Sequence, residues 1–180
     1  MMDDLSLHIL DIVENSVAAG ASRVLITVNE NQKRDILTIR VSDDGRGMSK
    51  RIQKQALDPF FTTRNKKTGL GLPFLAQAAE QSGGGIALES EPGRGTKVTA
   101  RFRYGHIDRP PLTTMAETMM MLVFGHPDVG FTYRHRRDGR DFRFDSLRHI
   151  AKGGGGRVRP EDISTVRRAL DTGLRRIGAS

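Results

Sequence analysis

The sequence predicts an α+β fold, a two-layer α/β sandwich in which helices cover one face of a mostly antiparallel sheet, with a small α/β appendage at its C-terminal end. Two observations favour this class. Apolar residues recur at helical spacing in some segments, whereas other segments alternate apolar and polar residues and are rich in β-branched side chains. Over residues 1–104 these patterns follow the order helix, two strands, two helices, two strands.

The first predicted helix runs from about Asp4 to Ala19 and ends at Gly20. Its apolar face is formed by Leu5, Ile9, Ile12, Val13 and Val17. The segments RVLITVNEN (23–31) and DILTIRVSD (35–43) then predict two antiparallel strands.

Two helices and two further strands complete this first portion. A short helix is expected after Met48, and another over about 70–81, closed by the glycines that follow it. The segments GIALESE (85–91) and TKVTARFRY (96–104) alternate again, and the PGRG sequence between them predicts a hairpin turn.

A domain boundary is predicted after Tyr104, where GHIDRPPL offers glycine and paired prolines. Residues 1–104 are expected to form one domain and residues 105–180 a small basic α/β region. Within the second region we predict a helix over 114–124, a hairpin over 131–145 with Asp-Gly at its turn, and a C-terminal amphipathic helix that begins near Pro160.

The composition is that of a globular protein, with 37% hydrophobic and 28% charged residues. No apolar run approaches the roughly 20 residues that cross a bilayer, and the start MMDDLSLH lacks the basic segment of a signal peptide. The chain has no cysteine, which excludes disulfides and thiolate zinc sites. A cytoplasmic location is the expectation.

The net charge of +8 is uneven, because residues 105–180 carry 14 basic and 9 acidic residues and nearly all the basic ones are arginine. Arginine suits recognition of phosphate or carboxylate partners. Aromatic residues are sparse and no groove-reading motif is present, so a solvated basic face is the preferred interpretation and nucleic acid is not the expected partner.

The first predicted helix carries polar residues that a core helix does not need. Asp11 and Asn15 are four residues apart and lie one above the other, whereas Glu14 is turned away by roughly a right angle. A hydrated magnesium ion with nucleotide phosphates accepts both an amide oxygen and a nearby carboxylate. A solvated helix edge is the alternative for this pair taken alone.

The turn sequence DDGRGM follows the second predicted strand. Asp43 ends that strand, and Gly45 and Gly47 allow a tight turn and the close approach of a ligand. A carboxylate in this position accepts a hydrogen bond from an exocyclic amine, which distinguishes adenine from guanine. A plain Asp-Gly turn is the alternative.

A glycine-rich segment, KTGLGLPF, precedes the helix predicted over 70–81. Gly69 and Gly71 present backbone N–H groups and a helix start at which phosphate binds. The cationic stretch from Arg64 to Lys67 is a natural lid over a triphosphate. Such a glycine-rich turn is unspecific when it stands alone.

Taken together and in this order, these motifs resemble the ATP-binding boxes of the gyrase B, heat-shock chaperone, histidine kinase and MutL superfamily, often called GHKL. LDIVENSVAAGASRV resembles the N box and is most similar to that of MutL proteins; DDGRGM resembles the D-x-G-x-G box. DPFFTTRNKKTGLGL and SGGGIALESEPGRGTKV are similar to the F box, lid, glycine box and final strands of histidine kinase catalytic domains. The resemblance covers about residues 5–102 and implies a Bergerat-type fold that binds ATP and Mg²⁺.

The resemblance also implies roles for single residues. Asn15 binds magnesium, Asp11 occupies the place of the glutamate that activates the nucleophile, and Asp43 contacts the adenine amine with Thr96 close to it through water. The remaining nucleotide-binding positions are Gly45, Gly47, Arg64, Lys67, Thr68, Gly69, Leu70, Gly71 and Leu72. Two departures stand out: Asp11 is one methylene shorter than the usual glutamate, and Lys67 replaces the glycine that many kinases have before Thr68.

The acceptor of the phosphoryl group determines the class of reaction. Self-contained histidine kinases carry an acceptor histidine on a helical hairpin upstream of the N box, and only nine residues precede Leu10 here. His8 is expected to be a packing residue, and the other histidines are expected to have no function.

Three hypotheses follow. The first is a kinase-like catalytic protein that phosphorylates a separate partner docked by the arginine-rich region. The second is an ATPase switch in which ATP closes the lid or drives formation of a homodimer. The third is a nucleotide-sensing module without turnover.

Overall fold

The computed structural model of the chain describes residues 4–58, 71–150 and 159–179. Its elements in chain order are α1 (Leu5–Ala18), β1 (Arg23–Asn31), β2 (Ile36–Asp43), α2 (Lys50–Gln55), α3 (Gly71–Gln81), β3 (Gly85–Ser90), β4 (Thr96–Arg103), α4 (Met115–Gly125), β5 (Gly130–Arg137), β6 (Arg140–Asp145), α5 (Ser146–His149) and α6 (Pro160–Ile177). Among these residues, no helix is both long and apolar enough to cross a membrane.

The six strands form one sheet in the order β3-β4-β2-β1-β5-β6. Four of the five pairings are antiparallel, and only β1 and β5 run parallel. The predicted α+β class with a mostly antiparallel sheet is confirmed. The sequence-based expectation did not include the parallel pairing.

The apolar residues at alternate positions of the strands lie on one side of the sheet, in the core. Val24, Ile26 and Val28 of β1 are at most 1% exposed, while the residues between them face the other side. Ile26 lies beside Val41 of β2 and Tyr133 of β5 in the sheet register. Burial of these side chains contributes about 1.5–3 kcal/mol each.

Helix α1 lies in the helical layer next to both α3 and α4. It begins at Asp4, whose Oδ1 accepts a hydrogen bond from the backbone N–H of Ser6 at 2.7 Å, as an N-cap should. The Oδ2 of Asp4 also accepts hydrogen bonds from the backbone N–H and hydroxyl of Thr113. The start of α1 is therefore fixed by the segment that leads to α4.

The C-terminal strands continue the same sheet. The predicted hairpin is present as β5 and β6, and its Asp138-Gly139 turn has φ values of 45° and 87°, which suit a two-residue hairpin. Helix α6 packs on β6, where a Cβ at Gly173 would lie 1.9 Å from the ring of Phe142. The boundary predicted after Tyr104 stays a prediction, and the strands on its two sides share one sheet and one core.

A buried polar chain joins β1 to β5 at the end of the sheet away from Asp43. The hydroxyl of Tyr133 lies 2.7 Å from His135 Nδ1, and His135 Nε2 lies 2.6 Å from Glu30 Oε1. Desolvation alone raises the pKa of Glu30, but the hydrogen bond from His135 and the charges of His135 and Arg137 outweigh it and lower that pKa.

Candidate functional site

The carboxylate of Asp43 is the point at which three parts of the fold meet. Asp43 ends β2 and lies opposite Thr96, the first residue of β4. Its Oδ1 accepts hydrogen bonds from the backbone N–H groups of Gly45 at 2.9 Å and Thr96 at 3.2 Å. Its Oδ2 accepts one from the hydroxyl of Ser16 on α1 at 2.6 Å. The strand end, the β3–β4 hairpin and α1 are thus joined at one half-buried carboxylate.

The glycines of the turn after Asp43 allow close backbone packing. Gly47 has a φ of +65°, and a Cβ at this position would lie 1.9 Å from the carbonyl oxygen of Glu91. A Cβ at Gly45 would lie 3.0 Å from Asp43 Oδ1 and 3.1 Å from the Cβ of Ala19. The turn is therefore packed between the end of α1 and the hairpin, and it keeps the Asp43 carboxylate at that junction.

A cleft of about 520 Å³ opens beside Asp43, between α2 and the β3–β4 hairpin. Thr96 lies in its wall, and the Thr96 hydroxyl is 2.9 Å from the hydroxyl of Ser90. The cleft is lined by Ser42, Asp43, Lys50, Gln53, Leu88, Glu89, Ser90, Glu91, Arg94, Gly95, Thr96 and Lys97. Asp11 and Asn15 are not part of this lining.

Asp11 lies against the start of α3. A Cβ at Gly71 would lie 2.7 Å from the Cβ of Asp11 and 3.3 Å from its Oδ2, so only glycine permits this approach of the two helices. Desolvation raises the pKa of Asp11, and the nearby Glu14 carboxylate raises it further. Asp11 thus lies between the Glu14 carboxylate and the start of α3.

Asn15 follows Asp11 by one helical turn and is half-buried. Within the described residues, its side-chain amide makes no hydrogen bond, and no group of three or more histidine, cysteine or acidic residues is arranged to hold a metal ion. Mg²⁺ typically keeps several waters and takes only one or two protein oxygens besides phosphates. The amide oxygen of Asn15 fits that mode of binding.

Several residues of the predicted site lie outside the described residues: Arg64, Lys67, Thr68, Gly69 and Leu70. Leu72, the second residue of α3, is half-buried and packs against the hydrophobic core.

Helix α1 connects the two groups of predicted residues. Ser16 joins it to Asp43, and one and a half turns earlier Asp11 meets Gly71. The structure thus brings Asp43, Gly45 and Thr96 together at one end of α1 and Asp11 and Gly71 together along it.

Two contacts of α1 were missed by the sequence reasoning. Ser16 shares the apolar face of α1 with Ile9 and Ile12, and a hydroxyl buried on such a face needs a partner, which is the signal that identifies it. The Glu14 carboxylate accepts a hydrogen bond from His126 Nε2 at 2.8 Å. This contact joins residues far apart in the chain, and no local pattern indicates it.

Sequence comparison supports the motif-based interpretation. The family described as "Histidine kinase-, DNA gyrase B-, and HSP90-like ATPase" matches residues 2–106. Sporulation kinase C of Bacillus subtilis (strain 168) is 32% identical over 87 residues, which are 48% of this chain and 20% of that protein. The sensor histidine kinase ZraS of Klebsiella oxytoca is 35% identical over 98 residues, which are 54% of this chain and 21% of that protein. This chain thus spans about a fifth of the length of both relatives.

Among solved structures, the MutL ATPase domain of Aquifex aeolicus, complexed with ADP, aligns with a TM-score of 0.53 and 17% identity. The alignment covers 92% of this chain and 69% of that one. At this identity the likeness concerns the fold, and it covers more of the chain than the residues 2–106 that the family model matches.

Proposed function

Because this chain belongs to the family of histidine kinase-, DNA gyrase B- and HSP90-like ATPases, we propose that it binds ATP with Mg²⁺ and transfers the γ-phosphoryl group to an acceptor on a separate protein. The observation that carries the nucleotide part of this proposal is the carboxylate of Asp43, which is fixed at a strand end beside an open cleft.

The hydrogen bonds of Asp43 leave room for one more donor. A carboxylate has about four lone-pair sites, and Asp43 uses two on Oδ1 and one on Oδ2. The remaining site on Oδ2 suits the exocyclic amine of adenine. Guanine presents a carbonyl oxygen at the equivalent ring position, and that oxygen would be repelled by the carboxylate.

The phosphate end of the nucleotide is assigned to the region of Asp11, Asn15 and Gly71. Asn15 would hold Mg²⁺, which neutralises phosphate charge when it is bound. The start of α3 offers N–H groups to phosphate. Five further nucleotide-binding residues are proposed from the family resemblance alone: Arg64, Lys67, Thr68, Gly69 and Leu70. Of these, Arg64 and Lys67 would neutralise phosphate charge.

The five histidines of this chain are buried or engaged in contacts, which supports a phosphoryl acceptor on a separate protein. His8 and His135 are each 2% exposed. His126 is bound to Glu14, and the ring of His149 stacks on Phe144. The fifth, His106, accepts a hydrogen bond from the backbone N–H of Asp108.

An ATPase switch is the second candidate, and the observation that favours it is the carboxylate of Asp11, which lies against Gly71 at the start of α3. In that case water accepts the phosphoryl group, and ATP closes the lid or drives formation of a homodimer. A nucleotide-sensing module without turnover is the third candidate, favoured by the short side chain of Asp11.

The adenine contact is tested by titrating the chain with ATP and with inosine triphosphate, which lacks the exocyclic amine, in excess Mg²⁺. An unmade hydrogen bond to a charged group costs about 1.5–3 kcal/mol, so we expect roughly tenfold or greater weakening with the inosine nucleotide. Asp43→Asn is expected to weaken ATP binding, and Asn29→Ala, at an exposed position of β1, is the matched control that should leave ATP binding unchanged. Equal affinity for the two nucleotides would refute the assignment of Asp43.

The reaction is identified by incubating the chain and its co-purifying proteins with γ-labelled ATP. Acid-labile phosphate on a partner supports the kinase, and free phosphate supports the ATPase switch. Tight ATP binding with neither product supports the sensing module.

A further inference from the structure

The side of the sheet that faces away from the core carries an ordered set of arginines. Five of the exposed arginines on this side, from four strands, are together called the arginine face: Arg40, Arg101, Arg134, Arg136 and Arg143. The residues between them in the strands point into the core, so the arginines all lie on one surface.

The strand register aligns these arginines in rows. One row crosses β2, β1, β5 and β6 as Arg40, Thr27, Arg134 and Arg143. Neighbouring strands are about 4.8 Å apart, so this row extends over roughly 14 Å. The adjacent row contains Arg101 and Arg136.

The arginine face holds more positive charge than its own carboxylates balance. Arg134 and Arg143 lie directly opposite each other, and like charges in this position destabilise a sheet. Asp141 lies 3.9 Å from Arg134 and 3.8 Å from Arg136, so two guanidinium groups share one carboxylate. In the part of the chain that the structure describes, Arg101 and Arg143 form no ion pair.

The side chains around the arginines favour one class of anionic partner. The aromatic residues of β5 and β6 (Phe131, Tyr133, Phe142 and Phe144) are all buried on the opposite side of the sheet. The arginine face therefore lacks the stacking surfaces with which sheets bind single-stranded nucleic acids. Asp141 lies among the arginines and would repel a continuous chain of phosphates.

We infer that the arginine face docks an acidic protein surface. Guanidinium groups bind carboxylates in bidentate geometry, and Thr27 and Asn29 between them supply further hydrogen-bonding groups. The excess positive charge is complementary to clustered Asp and Glu side chains. A second copy of this chain does not meet this requirement at the same face, because the two faces would repel each other.

The arginine face lies on the opposite side of the sheet from the Asp43 carboxylate, which is bonded to Ser16 of α1 on the helix-covered side. Arg40 precedes Asp43 by three residues on β2, which is about 10 Å along the strand. Arg40 and Arg101 come from residues 1–104, and the other three arginines come from the C-terminal region. The docking of this partner is independent of the proposed function and does not require ATP.

The test is a binding titration of the full chain, without nucleotide, with a fluorescent decaglutamate peptide. Arg134→Glu combined with Arg143→Glu is expected to weaken binding by roughly tenfold or more, because the new glutamate side chains then repel the glutamates of the peptide. Arg168→Glu combined with Arg175→Glu changes the net charge equally on the exposed side of α6, and it should alter binding less than about twofold. Amide NMR shifts on peptide addition should concentrate in β1, β2, β5 and β6.

Equal weakening by the two double variants would overturn the inference, as would peptide-induced shifts centred on α6. Tighter binding of a duplex or single-stranded DNA of equal charge at the same salt concentration would also overturn it, as would tighter binding to vesicles that contain phosphatidylglycerol. If the glutamate variant does not fold, Arg134→Gln with Arg143→Gln removes the charges without reversing them. If Asn15→Ala loses ATP binding but keeps peptide binding, the result supports docking at a site separate from the nucleotide site.

Discussion

Replacement of Ser16 by alanine removes the contact that fixes α1 to the end of β2. Ser16 is 4% exposed. Its hydroxyl lies 2.6 Å from Asp43 Oδ2 and 3.3 Å from the carbonyl oxygen of Ile12. A hydrogen bond to a charged acceptor contributes about 1.5–3 kcal/mol. We therefore expect Ser16→Ala to lower the free energy of unfolding by about 2 kcal/mol.

Urea unfolding followed by circular dichroism measures this change. With a slope of about 2 kcal/mol per M, the midpoint should fall by about 1 M. Ser164→Ala is the control, because the Ser164 hydroxyl bonds only the carbonyl oxygen of Glu161 on the exposed side of α6, and this variant should change stability by about 0.5 kcal/mol or less.

A double-mutant cycle separates the contact from the loss of the hydroxyl itself. Ser16→Ala and Asp43→Ala should be coupled by about 1 kcal/mol or more, since each removes the same hydrogen bond. If Ser16→Ala behaves like Ser164→Ala and the cycle gives additive changes, Asp43 is not held by α1 and the geometry described above is wrong.

Three further outcomes are expected. Asp11→Asn should preserve ATP binding and remove hydrolysis, and surviving hydrolysis in this variant would exclude Asp11 as the base. In the wild-type chain, the rate of any hydrolysis should decline as pH falls through the pKa of Asp11, which lies above the ordinary value of 3.8. Gly71→Ala should lower the free energy of unfolding by about 1–3 kcal/mol, because the added Cβ pushes α3 away from Asp11. Gly125→Ala, whose Cβ meets nothing within 4 Å, should be tolerated. Thermal unfolding of both variants measures the difference. Because the pKa of Glu30 is lowered in the folded chain, its contribution to stability is complete above the ordinary value of 4.5 and is lost as pH falls through the lowered value. The free energy of unfolding of Glu30→Gln should therefore vary less with pH in this range than that of the wild-type chain. Urea midpoints that vary identically with pH in the two proteins would contradict this.

The local elements were largely predictable from the sequence. The β1 range of residues 23–31 follows directly from its alternation, and the turn at Asp138-Gly139 from its dipeptide. The helix predicted over 4–19 is observed one residue shorter at each end, because Asp4 is its cap and Ala19 has left the helical conformation.

The contacts between distant segments were not predictable in the same way. The pairing of β5 with β1 joins strands about a hundred residues apart, and alternation gives the buried side of a strand without naming its neighbour. The same holds for the hydrogen bond between Glu14 and His126. The family resemblance implied that Asp43 and Thr96 lie close together, but the direct hydrogen bond from the Thr96 backbone N–H to Asp43 depends on the strand register.

The most direct test of the nucleotide site is calorimetric titration of ATP into wild-type chain and Asn15→Ala, each with excess Mg²⁺ and with a chelator. The wild-type chain should bind ATP more tightly with Mg²⁺ than without it, and Asn15→Ala should lose magnesium-dependent binding while it keeps the wild-type unfolding midpoint. Wild-type affinity in Asn15→Ala, with the same response to Mg²⁺, would contradict the assignment of this amide as the magnesium ligand.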